Sequence, residues 1–209
     1  VIFHIPTAVV CVKNLFSHLM QDKYFEDQNI DKQDYTKIPL AVADYDNCTF
    51  LNCNFAGTDL SEMNFAECIF ENCDLSNAKL VKTGLKDVQF KGCKLLGLHF
   101  NDCEAFLFQV GFDNCSLNLS SFYKRKLAKT RFINCSLKEV DFAEADLSNA
   151  TFINSDLTTA IFDNTNLEKA DLRTAYNYTI DPERNKLKKA KLSVSGLCGL
   201  LEKYDLIIE

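Results

Sequence analysis

The chain has 209 residues, 47% of them hydrophobic, with only 7 Gly and 3 Pro, a composition that folds rather than stays disordered. Its formal net charge is −6 and its pI about 5.2, which disfavours direct nucleic-acid binding through phosphates and suits a partner that itself has a basic surface. No apolar run reaches the ~18 residues of a membrane-spanning helix, so no membrane contact is expected. The ten cysteines do not have the spacing of a small secreted disulfide scaffold, and a cytoplasmic location with reduced thiols is expected.

Residues 1–19 are apolar but broken by His4 and Pro6, and they lack the cationic start and cleavage site of a signal peptide. The stretch KNLFSHLM loosely resembles a protease-tag junction. Residues 1–19 are therefore expected to be a tag or other non-native extension, with natural sequence beginning near Met20.

From residue 20 to 178 the chain reads as a repeat. A weak phase of five begins at Phe25, Ile30, Tyr35, Leu40 and Tyr45. It becomes strict at Phe50 and runs to Phe100, resumes at Leu107 and continues to Leu172, giving 25 positions that are all Leu or Phe. Five steps on an α-helix rotate about 140° from the starting face, and an odd step on a strand flips the side chain outward. The period works if the backbone turns a corner every five residues, so that four sides and 20 residues close one coil. The position two before each centre is nearly always small, as at Cys48, Cys53, Thr58, Cys68, Cys73 and Ala78, and two residues apart on an extended segment means the same face. Each side then gives one large and one small residue to the interior, and Arg125 breaks that rule.

Between Phe100 and Leu107 the step is seven, yet like still stacks on like across it: Phe50, Phe70, Phe90, Phe112, Phe132 and Phe152 form one column. The slip reads as a two-residue bulge. Asn52, Asn72, Asn114, Asn134 and Asn154 share one corner, where Asn tolerates turn geometry. The expected fold class is all-β: a right-handed quadrilateral β-helix of about seven coils, roughly 35 Å long at ~4.8 Å per coil.

After Ala175 the pattern is lost, and residues 179–209 read as a capping or dimerisation segment: a turn at Asp181-Pro182, an extended pair in KLKKAKLSVSG, then a short helix and a strand in GLCGLLEKYDLIIE. An open solenoid end exposes apolar interior and unpaired backbone, so it needs covering. Leu197, Leu200, Leu201, Tyr204, Leu206 and Ile207 are the residues expected to cover it or to pair two rods end to end.

The motifs AEADLSNATF and FENCDLSNAKL resemble the pentapeptide-repeat family, A(D/N)Lxx, over about residues 25–175. The tail IDPERNKLKKAKLSVSGLCGLLEKYDLIIE resembles that of the Qnr-type quinolone-resistance branch. That resemblance implies a homodimer through the C-terminus, and a partner in type II topoisomerase, DNA gyrase above all, bound by DNA mimicry and protected from fluoroquinolones. The long insertions that form projecting loops in several members of that branch have no counterpart here.

Enzymatic chemistry is not expected. The chain has three His, only His99 within the repeat, and no phosphate-binding loop, nucleophile elbow or HExxH. Cysteines spaced as in CTFLNC and CIFENC resemble metal ligands, but the period already places them in one stacked interior column, so neither a metal nor a cofactor is expected. The candidate partner-binding residues are the acids Asp141, Glu144, Asp146, Asp163 and Glu168, with Asp59, Glu62, Glu67, Asp87 and Asp102 in the other half. DNA of the same length carries about 20 charges, so a chain of net −6 is a diluted mimic. Lys124, Arg125, Lys126, Lys129 and Arg131 form a basic girdle that could meet something acidic. The alternative to topoisomerase binding is a structural or interaction scaffold with another partner.

Overall fold

A five-residue period requires an extended chain to turn sharply every fifth residue. The structure, a computed structural model that describes residues 24–206, meets this requirement with a left-handed residue two positions after most interior Leu and Phe residues, Phe100 and Leu172 being exceptions. Asn52, Gly57, Glu62, Glu67, Asn72 and Asn77 all have positive φ, and the series continues to Lys189. On many sides the interior residue's carbonyl accepts from the N–H three residues on, as Phe55 does from Thr58 and Phe142 from Ala145, both at 3.0 Å. With positive φ at the third position, these have the character of type II turns. Asn and Gly adopt that conformation most readily. At Gly92 (φ +62°) a side chain would also collide, because a Cβ there would lie 2.5 Å from Asn72 Oδ1 in the coil below.

Between corners the chain is extended for three or four residues and pairs in parallel with the neighbouring coils. Strand β2 (Asn29–Asp31) pairs with β4 (Thr49–Leu51) and β4 with β6 (Ile69–Glu71), each 20 residues apart. Together with β8 (Val88–Lys91), β9 (Val110–Asp113), β10 (Arg131–Ile133) and β11 (Thr151–Ile153) they form a seven-stranded sheet along one side. A four-stranded sheet of β1 (Tyr24–Glu26), β3 (Asp44–Asp46), β5 (Asn64–Ala66) and β7 (Gly84–Lys86) lines another side, and single bridges continue the ladder elsewhere. The result is a right-handed, four-sided β-solenoid, the hand favoured for parallel crossovers. The weak phase is part of it: Phe25 pairs with Tyr45 and Ile30 with Phe50.

Stacked rings fill the interior. Phe50 lies over Phe70 at 4.8 Å, Phe100 over Phe122 at 4.5 Å and Phe132 over Phe152 at 4.9 Å, while rings of adjacent columns meet edge to face, as Phe132 and Phe142 do at 79°. Both arrangements are favourable for aromatic quadrupoles. The slip is absorbed as expected: β8 and β9 pair at an offset of 22, with Phe90 over Phe112.

Two expectations need correction. Leu107 is not interior: it is 63% exposed and, with Phe106, forms the tip of the inserted corner. The interior positions next to it are Phe100 and Cys103 before the insertion and Val110 after it. Arg125, from the following coil, reaches under this corner. Its guanidinium donates to the carbonyls of Asn101 (2.7 Å) and Cys103 and lies over the Phe108 ring. The irregular residue of the sequence is thus a buried plug for the space a Leu would have filled. Nor does the coil stop where the five-residue spacing is lost. Asn166 bridges Lys186, Asp171 bridges Lys191, and Leu187 and Leu192 pack against the core.

The small interior residues do more than fill space. Where the turn leaves an interior carbonyl free, a thiol or hydroxyl from the next coil donates to it: Cys73 to Phe50, Cys93 to Phe70, Cys115 to Phe90 and Ser155 to Phe132, each at 3.3 Å. Ser120 serves Leu95 in the same way, and Thr83 adds a second donor to the Leu60 carbonyl, which also accepts from the Met63 N–H. A buried carbonyl left unpaired is costly, which explains why this column takes Cys and Ser. Burial pushes the thiols of Cys68, Cys103 and Cys135 up to about 12. Among the described residues no group of His, Cys, Asp or Glu is placed to hold a metal ion.

Two measurements test this account. Phe132→Ala removes a fully buried ring from the centre of a stack and should cost about 3–5 kcal/mol in denaturant unfolding; a loss below ~1 kcal/mol would contradict the inward assignment. Of the described cysteines, Cys198 is exposed and the rest are buried. Maleimide labelling read by peptide mass should modify Cys198 in the native protein and the others only after unfolding.

Candidate interaction surface

A filled interior leaves the outer sides and the two ends for recognition. On the sides, each residue stands about 5 Å from its counterpart in the next coil, so charge patterns of period 20 become ladders. One corner column reads Glu62, Lys82, Asp102, Lys124, Glu144, alternating in sign. Lys82 Nζ lies 3.9 Å from Glu62 and Lys124 Nζ lies 3.5 Å from Glu144. Such exposed pairs add little stability, but they cancel the local field.

The fold does bring the five candidate acids together, with Asp141, Glu144 and Asp163 on the side centred on Phe142 and Phe162, and Asp146 and Glu168 on the next. They differ in how free they are. Glu144 is held by Lys124 and by the Tyr123 hydroxyl at 2.9 Å, and Asp163 by Arg184 at 2.7 Å. Asp141 accepts from the Ala143 N–H at 2.9 Å; Asp146 accepts from the Ser148 N–H at 3.0 Å and Asn166 Nδ2 at 2.9 Å. Among the described residues, Asp141, Asp146 and Glu168 make no ion pair.

A second acidic region was not read from the sequence. The first coils carry Glu26, Asp27, Asp31, Asp34, Asp44 and Asp46 against Lys32 and Lys37. Four of these acids accept from an Asn in the coil above: Asp27 from Asn47 (2.7 Å), Asp31 from Asn52 (3.0 Å), Asp34 from Asn54 (3.2 Å) and Asp44 from Asn64 (2.8 Å). The Asn52 bond holds the Asp31 carboxyl below its usual value, and Lys37 does the same for Asp34. The signal was an Asp about 20 residues before an Asn, repeated four times. The basic girdle, by contrast, is thinner than its sequence suggests. Arg125 is buried and Lys124 is paired, leaving Lys126, Lys129 and Arg131 on the surface.

At the C-terminal end, a 3-10 turn (Ser195–Leu197), helix α1 (Cys198–Leu201) and a second 3-10 turn (Glu202–Tyr204) fold over the last coil. The approach is close because two glycines allow it: a Cβ on Gly199 would fall 2.0 Å from the Tyr178 carbonyl, and one on Gly196 1.9 Å from the Tyr178 hydroxyl. Gly199 accepts from the Ile180 N–H at 2.9 Å, and Lys203 clamps Asp181 (2.7 Å) and Glu183 (2.8 Å). Leu200 packs on the core and Leu201 is half-buried, whereas Leu197, Tyr204 and Leu206 are exposed beside Val194. The expected closing strand is absent at Asp205 and Leu206, and its remainder, Ile207 included, lies outside the described residues, as does the extension 1–19. A cleft of about 720 Å³ separates this tail from the last coil, lined by Thr158, Tyr176, Tyr178, Cys198 and Glu202. No helix among the described residues is long and apolar enough to cross a membrane.

Comparison with known proteins gives three results. A family model described as "Pentapeptide repeat region" matches residues 43–122 and 63–142, and one described as "Pentapeptide repeats (8 copies)" matches residues 141–175. No curated protein matches the chain. Among solved structures, two trypsin-treated variants of QnrB1, a plasmid-mediated fluoroquinolone resistance protein, superpose with TM-scores of 0.59 and 0.60 at 20% and 21% identity. Each match covers 90% of this chain and 98% of the other. Full-length QnrB1 gives a TM-score of 0.46 at 20% identity, over 88% of this chain and 100% of that one.

Proposed function

The chain belongs to the pentapeptide-repeat family, and from that premise we propose that it is a non-enzymatic binding protein for type II topoisomerase, DNA gyrase in the first place, which it engages as a DNA mimic and protects from fluoroquinolones. The observation that carries this reading is the extent of the likeness to QnrB1, a fluoroquinolone resistance protein: one solenoid runs through 98% of that chain. Asp141, Asp146 and Glu168 offer the unpaired charge a basic groove requires, and Asp163 and Glu144 add to it once their cations are displaced. Exposed charges of this kind govern association rate and salt dependence more than final affinity. The partner places the protein in the cytoplasm.

The exposed Leu197, Tyr204 and Leu206 support a homodimer through the tail, with Leu200 and Leu201 anchoring it. A two-fold rod would set the C-terminal acids of both copies near its centre. One observation favours the scaffold reading instead: the alternating Glu62 to Glu144 ladder has three acids and two lysines and so is nearly neutral, as no DNA backbone is.

A supercoiling assay with ciprofloxacin separates the two readings. The wild-type chain should change gyrase activity or its drug sensitivity. Asp141→Lys with Asp146→Lys should abolish that effect at equal salt while leaving the fold intact by circular dichroism, because neither side chain enters the core. Equal activity of the double variant would favour the scaffold. Light scattering at tens of micromolar should give a dimer that Leu197→Asp with Leu206→Asp converts to monomer; a monomeric wild type would make the tail a cap only.

A further inference from the structure

The girdle residues left on the surface do not stand alone. Coil stacking sets them in line with a basic segment some 40 to 60 positions later in the chain. One corner column reads Lys129, Asn149, Lys169, Lys189, all at positive φ. Its continuity is fixed by backbone bonds, from Lys129 N to Ser148 O (2.9 Å), Asn149 N to Glu168 O (2.9 Å) and Lys169 N to Lys188 O (3.0 Å). On one flank, the bridges from Lys126 to Asp146, Asp146 to Asn166 and Asn166 to Lys186 place Lys186 at the same level as Lys188. On the other, Arg131 begins a row that ends at Lys191. Lys129, Arg131, Lys169, Lys186, Lys188 and Lys189 are all exposed, and none makes an ion pair among the described residues. Of the acids between them, Asp171 is paired with Arg173 (2.7 Å) and Lys191 (3.9 Å), while Asp146 accepts hydrogen bonds from Ser148 and Asn166 and keeps its charge. Among the described residues, Asp146 and Glu168 are the ridge carboxylates that make no ion pair, against six exposed cations.

We propose that this ridge is a second interaction surface, one that binds the phosphate backbone of duplex DNA. Its form decides the partner class. The cations run along the rod axis on a side edge, about 14 Å from Lys129 to Lys189 at ~4.8 Å per coil. A polyanion lying alongside the rod meets all of them, since phosphates of one strand follow at ~3.4 Å along the duplex. A globular acidic partner would be served as well by a compact patch. The overall charge of −6 does not prevent binding, because the acids at residues 26–46 lie several coils away, beyond the ~8–10 Å over which exposed charges act at physiological salt. The ridge interleaves with Asp146 and Glu168 of the acidic surface assigned to topoisomerase, but duplex binding by its cations does not require that partner.

The test uses the full chain and no topoisomerase, so its failure leaves the proposed function untouched. Fluorescence anisotropy of a labelled random-sequence duplex of about 30 base pairs should show binding at 50 mM salt. Four or five phosphate contacts give a log–log salt slope near −4, so affinity should fall on the order of 10²-fold by 200 mM. Lys169→Glu with Lys186→Glu and Lys189→Glu should weaken binding at least tenfold, and Lys32→Glu with Lys37→Glu, at the other end, should not. If the triple variant melts early, the neutral Lys→Gln set replaces it and should give a smaller loss in the same direction. Absence of wild-type binding at 50 mM, or binding that the ridge variants leave unchanged, overturns the proposal. So does salt-sensitive self-association that the triple variant abolishes without any DNA binding, which would assign the ridge to a second copy.

Discussion

Every backbone group in this rod that is not at a corner finds its partner one coil away, and nearly all pairing is therefore vertical. This constraint fixes the rest. Because strands pair in parallel at an offset of 20, a side chain's neighbour is its own counterpart in the next coil. Interior positions must then tolerate self-stacking, which flat rings and Leu do well. Corner positions must turn without help from side-chain packing, hence the left-handed Asn, Gly and Lys. A carbonyl that the turn leaves free must be reached from the coil above, hence the columns of Cys and Ser. One geometric rule accounts for Cys48, Cys53, Cys68, Cys73, Cys93 and Cys115 without any appeal to redox or metal chemistry.

The same rule shapes the outside. Charges one coil apart are close enough to interact strongly, so a column of like charges would be unstable and acids come with Asn or Lys above them. The acidic first coils are tempered by the Asn residues of the next, and the Glu62 to Glu144 column by alternation. Departures from compensation are the informative places: the free carboxylates of Asp141, Asp146 and Glu168, and the free cations from Lys129 to Lys189. The rod is acidic at one end and basic at the other, which a net charge conceals.

Most of the fold was legible in the sequence because each interior residue is selected independently by the same environment, and the period repeats that selection. What was not legible depended on contacts between unlike positions. Leu107 has the right residue type and the right spacing from Phe112, but nothing in the sequence shows that the inserted corner turns it outward. Arg125 was visible as an exception, and its role required knowing that Asn101 and Cys103 lie beneath it. The last coil was missed because Asn185 and Tyr178 take interior places in a spacing no longer five. For the candidate site, the positions of the acids could be read from the repeat, whereas their freedom could not, since Lys124 and Arg184 reach Glu144 and Asp163 through long flexible side chains.

The inserted corner also bears on how such a chain diversifies. Two residues were added between Phe100 and Phe112, yet Phe112 still lies over Phe90 and every column resumes beyond it. An insertion at a corner therefore leaves no debt of register for later coils. Its cost is local, one interior side chain withdrawn, and the coil above repairs it with Arg125. Loop length at 104–107 and the residue at 125 thus form a single heritable unit. A lineage that trims the loop loses its reason to keep the arginine, and one that lengthens it must find a larger plug.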